Sequence, residues 1–183
     1  EYMPNYNAWL KTLSDEDLEN IVNIRKAYDG KIYYTPATGR EATRGVRCWL
    51  YRKDIFDKQG IEAPKTFDEL YLACKTLKAA YPDSFPFAMR SGLTNLGVTG
   101  SSWKEYWSPF VYYDFVNEKW EYGVREEITI DIINFYKKMV AEKLMPSDFM
   151  TMNTATWQEL ISTNRGFIFP EYQTRINFFN SLA

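Results

Sequence analysis

The sequence predicts a helix-rich α/β fold in which a short central sheet is flanked by helices. Three observations predict it. Val46 to Arg52 alternates, with Val46, Cys48 and Leu50 on one face and Arg47, Trp49 and Tyr51 on the other, the period of a strand. Pro64-Lys65-Thr66-Phe67-Asp68-Glu69 is a helix-start signal, with Thr66 as N-cap and Glu69 closing a capping box. Short strand-like and helix-like segments then alternate to the end of the chain.

The elements follow in order. Ser14-Asp15-Glu16-Asp17 caps an amphipathic helix carrying Leu18, Ile21, Val22 and Ile24 to about Ala27. Asp29-Gly30 reads as a turn, Lys31 to Thr35 as a short strand stopped by Pro36, and Thr38 to Gly45 as a polar loop. Lys53 to Gln59 is a short helix ended by Gly60. The helix after Thr66 carries Leu70, Ala73, Cys74 and Leu77 on one stripe and stops before Pro82. Pro86 to Met89 reads as a brief buried strand, and Trp103 to Trp107 as a segment that fits a helix. Tyr112 to Tyr122 fits a hairpin closed around Asn117-Glu118-Lys119. Glu126 to Glu142 is a helix with Ile132, Tyr136, Met139 and Val140 at helical spacing. Thr156 to Thr163 is a helix, Gly166 to Phe169 a strand and Gln173 to Leu182 a last helix. No repeat, low-complexity tract or Gly/Ser linker divides the 183 residues, so one domain is expected.

Composition narrows the chemistry. A formal charge of −2 supplies no basic field for nucleic acid. With no histidine, every His-based triad and His metal cluster is excluded. Cys48 and Cys74 form neither a close ligand pair nor a disulfide framework and read as buried thiols. There is no P-loop, no dinucleotide-binding glycine motif and no EF-hand ligand series. No metal or cofactor is implied. Aromatic residues are abundant at 17%, with 14 Tyr, 12 Phe and 6 Trp. Most will pack the core, but Tyr and Trp also offer flat faces on which the C–H face of a sugar stacks.

Two runs carry a resemblance to a known family: Leu50 through Ile61, and Pro64 through Leu70. Flanking them are Asp29 to Pro36, the Asn117 to Gly123 segment, Ile132 to Met145, and Trp157 to Ile161 with Gly166 to Ile168. In this order they resemble the family 1 extracellular solute-binding proteins of bacterial ABC transporters, relatives of maltose-binding protein. The resemblance implies one lobe of a type II periplasmic-binding-protein-like fold. It also implies an internal fragment, mainly the second lobe, with residues 1–39 leading into the hinge. The implied function is capture of a small solute, by family habit a sugar or oligosaccharide, between two lobes and its delivery to a membrane ABC permease. No enzymatic activity is implied. The implied location is the extracellular face of a bacterial membrane, the parent protein carrying a lipid anchor outside this chain.

Reversible capture needs positioned donors, acceptors and stacking faces, and ligands of open α/β sheets sit beyond the carboxyl ends of strands. Arg40, Glu41 and Arg44 follow the first predicted strand, Arg90 and Ser91 follow Met89, and Glu171, Tyr172 and Arg175 follow Phe169. Arginine presents a planar fork to adjacent hydroxyls or to a carboxylate. As surface residues the same arginines would instead pair with Asp or Glu. In maltose-binding-like relatives the upstream loop and an aromatic after the late strand touch ligand, which the resemblance carries to Arg40, Glu41 and Tyr172. Trp103 and Trp107 are a second candidate platform if exposed, and a core stripe otherwise. Two other function classes fit parts of the sequence. A glycoside hydrolase needs two carboxylates held across a cleft, for which no spacing is legible. A non-catalytic module binding a polysaccharide or protein suits the aromatic content but not the strand–helix alternation.

Overall fold

The structure, a computed structural model, describes residues 3–19, 26–33, 47–90, 92, 95 and 99–182. The chain divides into two compact units, Glu1–Arg44 and Gly45–Ala183. In the first, α1 spans Pro4–Leu10, with proline at its start where no N–H is needed. The single turn α2, Asp15–Asp17, is capped as expected: Ser14 Oγ accepts from Asp17 N–H at 3.1 Å. Residues 20–25 lie outside the described residues, and residues 26 and 27, where that helix was expected to end, are not helical. The Asp29-Gly30 turn is closed by Lys31 N–H donating to Asp29 Oδ1 at 3.0 Å. Gly30 takes φ 77°, a conformation open to glycine. Residues 31–33 do not form the expected strand, and 34–35 lie outside the described residues.

The second unit holds the sheet. β1 (Arg47–Tyr51) leads directly into α3 (Lys53–Gln59), which ends at Gly60 in the left-handed region, φ 65°. α4 is Phe67–Ala80. A hairpin of β2 (Val111–Asp114) and β3 (Lys119–Tyr122) passes through a 3-10 turn into α5 (Glu127–Ala141). α6 (Thr154–Ser162), β4 (Ile168–Tyr172) and α7 (Arg175–Asn180) follow. β1 and β4 pair antiparallel, with Arg47 opposite Tyr172 and Tyr51 opposite Ile168. Phe87 bridges Ile168 in parallel, so the expected strand at Pro86 to Met89 is reduced to a single bridge on the other side of β4. β4 is therefore central.

Alternation along these strands sends side chains into two hydrophobic clusters. Phe87, Met89 and Ile168 join Leu70, Cys74 and Leu77 of α4 and Ile132, Tyr136 and Met139 of α5, with half-buried Trp49 packed against them. Leu50, Ala88 and Phe169 join Trp157, Leu160 and Ile161 of α6, with Phe179 of α7 against them. The sheet is thus sandwiched between α4/α5 and α6/α7; α4, α5 and α6 each bury the one stripe that their apolar spacing defines, while α7 contributes half-buried Phe179. Burying each large apolar side chain stabilises the layer by about 1.5–3 kcal/mol.

The hairpin is anchored by a polar knot. Lys104 Nζ donates to Tyr112 Oη at 2.7 Å and Glu126 Oε2 at 2.6 Å, and lies 3.2 Å from Asp114 Oδ2. Tyr112 Oη in turn donates to Glu126 Oε1 at 2.7 Å. No helix among the described residues is long and apolar enough to cross a membrane.

Candidate functional site

β4 carries Glu171 and Tyr172 at its carboxyl end, and the antiparallel register brings the first residue of β1 beside them. Glu171 is buried, and its Oε2 accepts from Arg90 Nη2 at 2.7 Å. Its other oxygen accepts the backbone N–H of Tyr172 at 3.0 Å. The Arg90 guanidinium also lies over the Trp157 ring, 4.6 Å from its centroid. Trp157 is itself pinned by its Nε1–H donating to the Ala88 carbonyl at 2.9 Å. Arg90 is thus held between a buried carboxylate and a buried indole, and Glu171 fixes the backbone that presents Tyr172. The Tyr172 side chain, 40% exposed, is the open aromatic surface of this group.

Two further residues complete it. The Arg47 guanidinium lies 4.7 Å from the centroid of the Tyr172 ring. Its Nη1 donates to Asn95 Oδ1, while Asn95 Nδ2 donates to the Arg90 carbonyl at 2.5 Å. Thr99 Oγ1 donates to the Asn95 carbonyl at 3.0 Å and sits 3.0 Å from Tyr136 Oη, tying the cluster to the core. Burial pushes the Tyr136 phenol up to about 12, so it stays neutral there.

The structure therefore brings together three sequence candidates, Arg90, Glu171 and Tyr172, and adds Arg47 and Asn95, which the sequence reading passed over. A signal for Arg47 existed: it is the charged member of a strand face otherwise made of Trp49 and Tyr51. Its partnership with Tyr172 depends on strand register across 125 residues of chain, as Arg47 is opposite Tyr172. The Arg175 guanidinium lies over Phe178 of its own helix, 5.3 Å from the ring centroid. Arg40, Glu41, Arg44 and Ser91 lie outside the described residues.

Trp103 and Trp107 do not form the exposed platform that was one expectation for them. Trp107 is 5% exposed within the main core. Trp103 stacks on Phe67 with centroids 3.6 Å apart and meets Phe135 edge-on. The segment is also not a helix, because Tyr106 takes φ 60°. Beneath Trp107 sits Gly100, where a Cβ would come within 2.0 Å of the indole. Elsewhere a cavity of about 590 Å³ runs beside β1, lined by Trp49, Leu50, Tyr51, Pro64, Phe67 and Leu70 among others. Its lining is mainly apolar, with Lys65, Thr66 and Ser102 as the polar members. Among the described residues no group of three His, Cys, Asp or Glu is placed to hold a metal ion.

A family model described as bacterial extracellular solute-binding protein matches residues 2–165. The polygalacturonan/rhamnogalacturonan-binding protein YtcQ of Bacillus subtilis (strain 168) is 27% identical over 166 residues, covering 83% of this chain and 31% of that protein. Lipoprotein LipO of the same strain is 26% identical over 166 residues, covering 86% of this chain and 31% of that one. A sugar transporter from Bacillus licheniformis, solved in complex with stachyose, superposes with a TM-score of 0.63 at 19% identity. That match covers 95% of this chain and 44% of the solved one. The chain spans about a third of the length of the curated relatives it matches, 31% in each case.

Proposed function

Because this chain belongs to the bacterial extracellular solute-binding proteins and has a periplasmic-binding-protein-like fold, we propose that it serves as one wall of a sugar-capture cleft feeding an ABC importer. The observation that carries this is the exposed Tyr172 ring at the carboxyl end of the central strand, held in place by the buried Glu171–Arg90 pair. Ligands of open α/β sheets sit at this end, and a flat aromatic face with a polar tip suits a pyranose. Nothing in the cluster resembles a nucleophile with its base, so its chemistry is reversible binding.

In this reading residues 45–183 form most of one lobe, with residues 1–39 leading into the hinge, and the remainder of a longer protein supplies the opposite wall. Solute closes the two lobes by a hinge motion, and the closed form docks on the membrane permease. The working site is the outer face of the membrane, with a lipid anchor holding the protein there. The naming of one relative for polygalacturonan and rhamnogalacturonan, and the stachyose complex of another, support carbohydrate as the solute class. Arg40, Glu41, Arg44 and Arg175 remain proposed contributors to the rim.

The test is titration calorimetry of the full-length protein against neutral and acidic oligosaccharides of two to six sugars. Saturable binding is expected, weakened about tenfold by Tyr172→Ala through loss of one stacking face. Absence of binding to every saccharide, with a folded protein, refutes the proposal.

A further inference from the structure

The two arginines at the sheet end differ in their charge balance. Arg90 is matched by the Glu171 carboxylate at 2.7 Å. Arg47, by contrast, has no carboxylate partner among the described residues. Its two partners there, the Asn95 amide and the Tyr172 ring, are both neutral. Among the described residues the cluster therefore carries one positive charge with no carboxylate beside it, held on an exposed aromatic face.

That charge is built in rather than incidental. Asn95 is 2% exposed, and its amide orientation is fixed because its Nδ2 donates to the Arg90 carbonyl. Its Oδ1 is thereby aimed at Arg47 and takes a donor from Nη1. Nε and Nη2 form one edge of the guanidinium fork and have no partner among the described residues. A carboxylate fits such an edge bidentately. Tyr172 keeps open surface beside it for the ring that bears the carboxylate. A neutral sugar would leave the buried amide holding a cation for no counter-charge, whereas a phosphorylated sugar brings about two negative charges to a single positive one.

We propose that Arg47, seated on Tyr172 and positioned by Asn95, makes this cleft wall selective for acidic sugars, its free guanidinium edge taking the carboxylate of a uronate residue. The proposal rests on the sugar-capture reading and specifies its substrate class. A charge-assisted pair of this kind corresponds to about a ten- to hundredfold difference in affinity.

The experiment compares trigalacturonate and trimannuronate with their fully methyl-esterified forms, which keep the rings and lose the charge. Calorimetry on the full-length protein should show at least one acid binding tenfold or more above its ester, with an affinity that falls as salt rises. Arg47→Gln should bring the acid-to-ester ratio toward one, and Arg47→Lys should restore part of it. Asn95→Leu provides an independent reduction of the ratio by unmooring the guanidinium. Equal binding of acid and ester by the unaltered protein overturns the inference while leaving sugar capture standing. So does a ratio that Arg47→Gln leaves unchanged. Failure of all saccharides, acidic and neutral, removes the sugar-capture reading and this inference together.

Discussion

Glu171 accepts from Arg90 on one oxygen and from the Tyr172 N–H on the other, with its side chain 2% exposed. Removing the charge while keeping the shape leaves a guanidinium, 17% exposed, facing a neutral amide. Glu171→Gln should therefore destabilise the second unit by about 3 kcal/mol, the lower end of the range for breaking a buried pair because Arg90 retains some water contact. The urea midpoint reads this, provided the slope of the transition is unchanged. A loss under about 1 kcal/mol would show that the pair is solvated. Gly100 sets a second residue-scale prediction: a Cβ there meets the Trp107 ring at 2.0 Å, so Gly100→Ala must displace the indole and should cost about 1–3 kcal/mol. At this scale, the meeting of Arg90, Glu171 and Tyr172 follows from their places just after two apolar runs, Pro86 to Met89 and Gly166 to Phe169, that lie side by side. For Trp107 the sequence left a platform and a core stripe both open, and its burial in the main core beside Gly100 decides for the second. Arg47 and Asn95 escaped because their roles arise from pairing between distant segments.

Helix starts were the most readable elements, because capping is local chemistry. Thr66 Oγ1 accepts from Glu69 N–H at 3.1 Å, as the capping box predicts. The return arm differs: Glu69 Oε2 accepts from the Lys65 N–H at 2.7 Å, one residue before the cap. The longer reach still satisfies an amide at the helix entrance. Thr66→Ala should cost about 1 kcal/mol in unfolding free energy, and Thr66→Ser should recover most of it, as read by thermal or urea unfolding. Asn153 caps α6 in the same way, accepting from Thr156 N–H at 2.9 Å, which starts that helix two residues before the sequence placed it. Strands were less readable. The hairpin was expected around residues 117–119, but the turn occupies 115–118, because Asp114 Oδ1 gathers the N–H groups of Val116 and Asn117 at 2.9 and 3.0 Å. Residues 86–89 look like a full strand from their apolar run, yet form one bridge. A short buried run does not disclose how many of its residues find ladder partners.

Across residues 45–183 the titrating groups predict a stability plateau with two edges. Asp114 is held well below the ordinary carboxylate range, chiefly by the Asn117 side chain and backbone N–H. Glu142 is lowered by Lys75 and then Tyr71, and Asp54 by Arg52. A depressed carboxylate contributes stability above its unfolded value of about 4 and loses it as pH falls through the folded value. The acid edge should therefore begin near pH 4 and deepen below it. With no histidine in the chain, no side chain with an ordinary value between about 5 and 8 interrupts the plateau. On the alkaline side burial pushes the Cys74 thiol up, burial pushes the Tyr136 phenol up to about 12, and Glu126 followed by Tyr112 raises Lys104. Each raised group contributes fully below its unfolded value and loses that contribution as pH rises through the folded one. The unfolded thiol titrates first, near 8.5, and the phenol and ammonium near 10. The alkaline decline should thus start near pH 8.5 and be set initially by Cys74, with the half-buried Cys48 thiol, also pushed up by burial, adding to it. Cys74→Ala removes the larger of these and leaves Cys48, so although the variant is less stable overall, its unfolding free energy should fall less steeply between pH 8.5 and about 10. Urea titrations at half-unit intervals from pH 3 to 11 check both edges. An unchanged slope over that interval in Cys74→Ala would assign the alkaline decline to other groups.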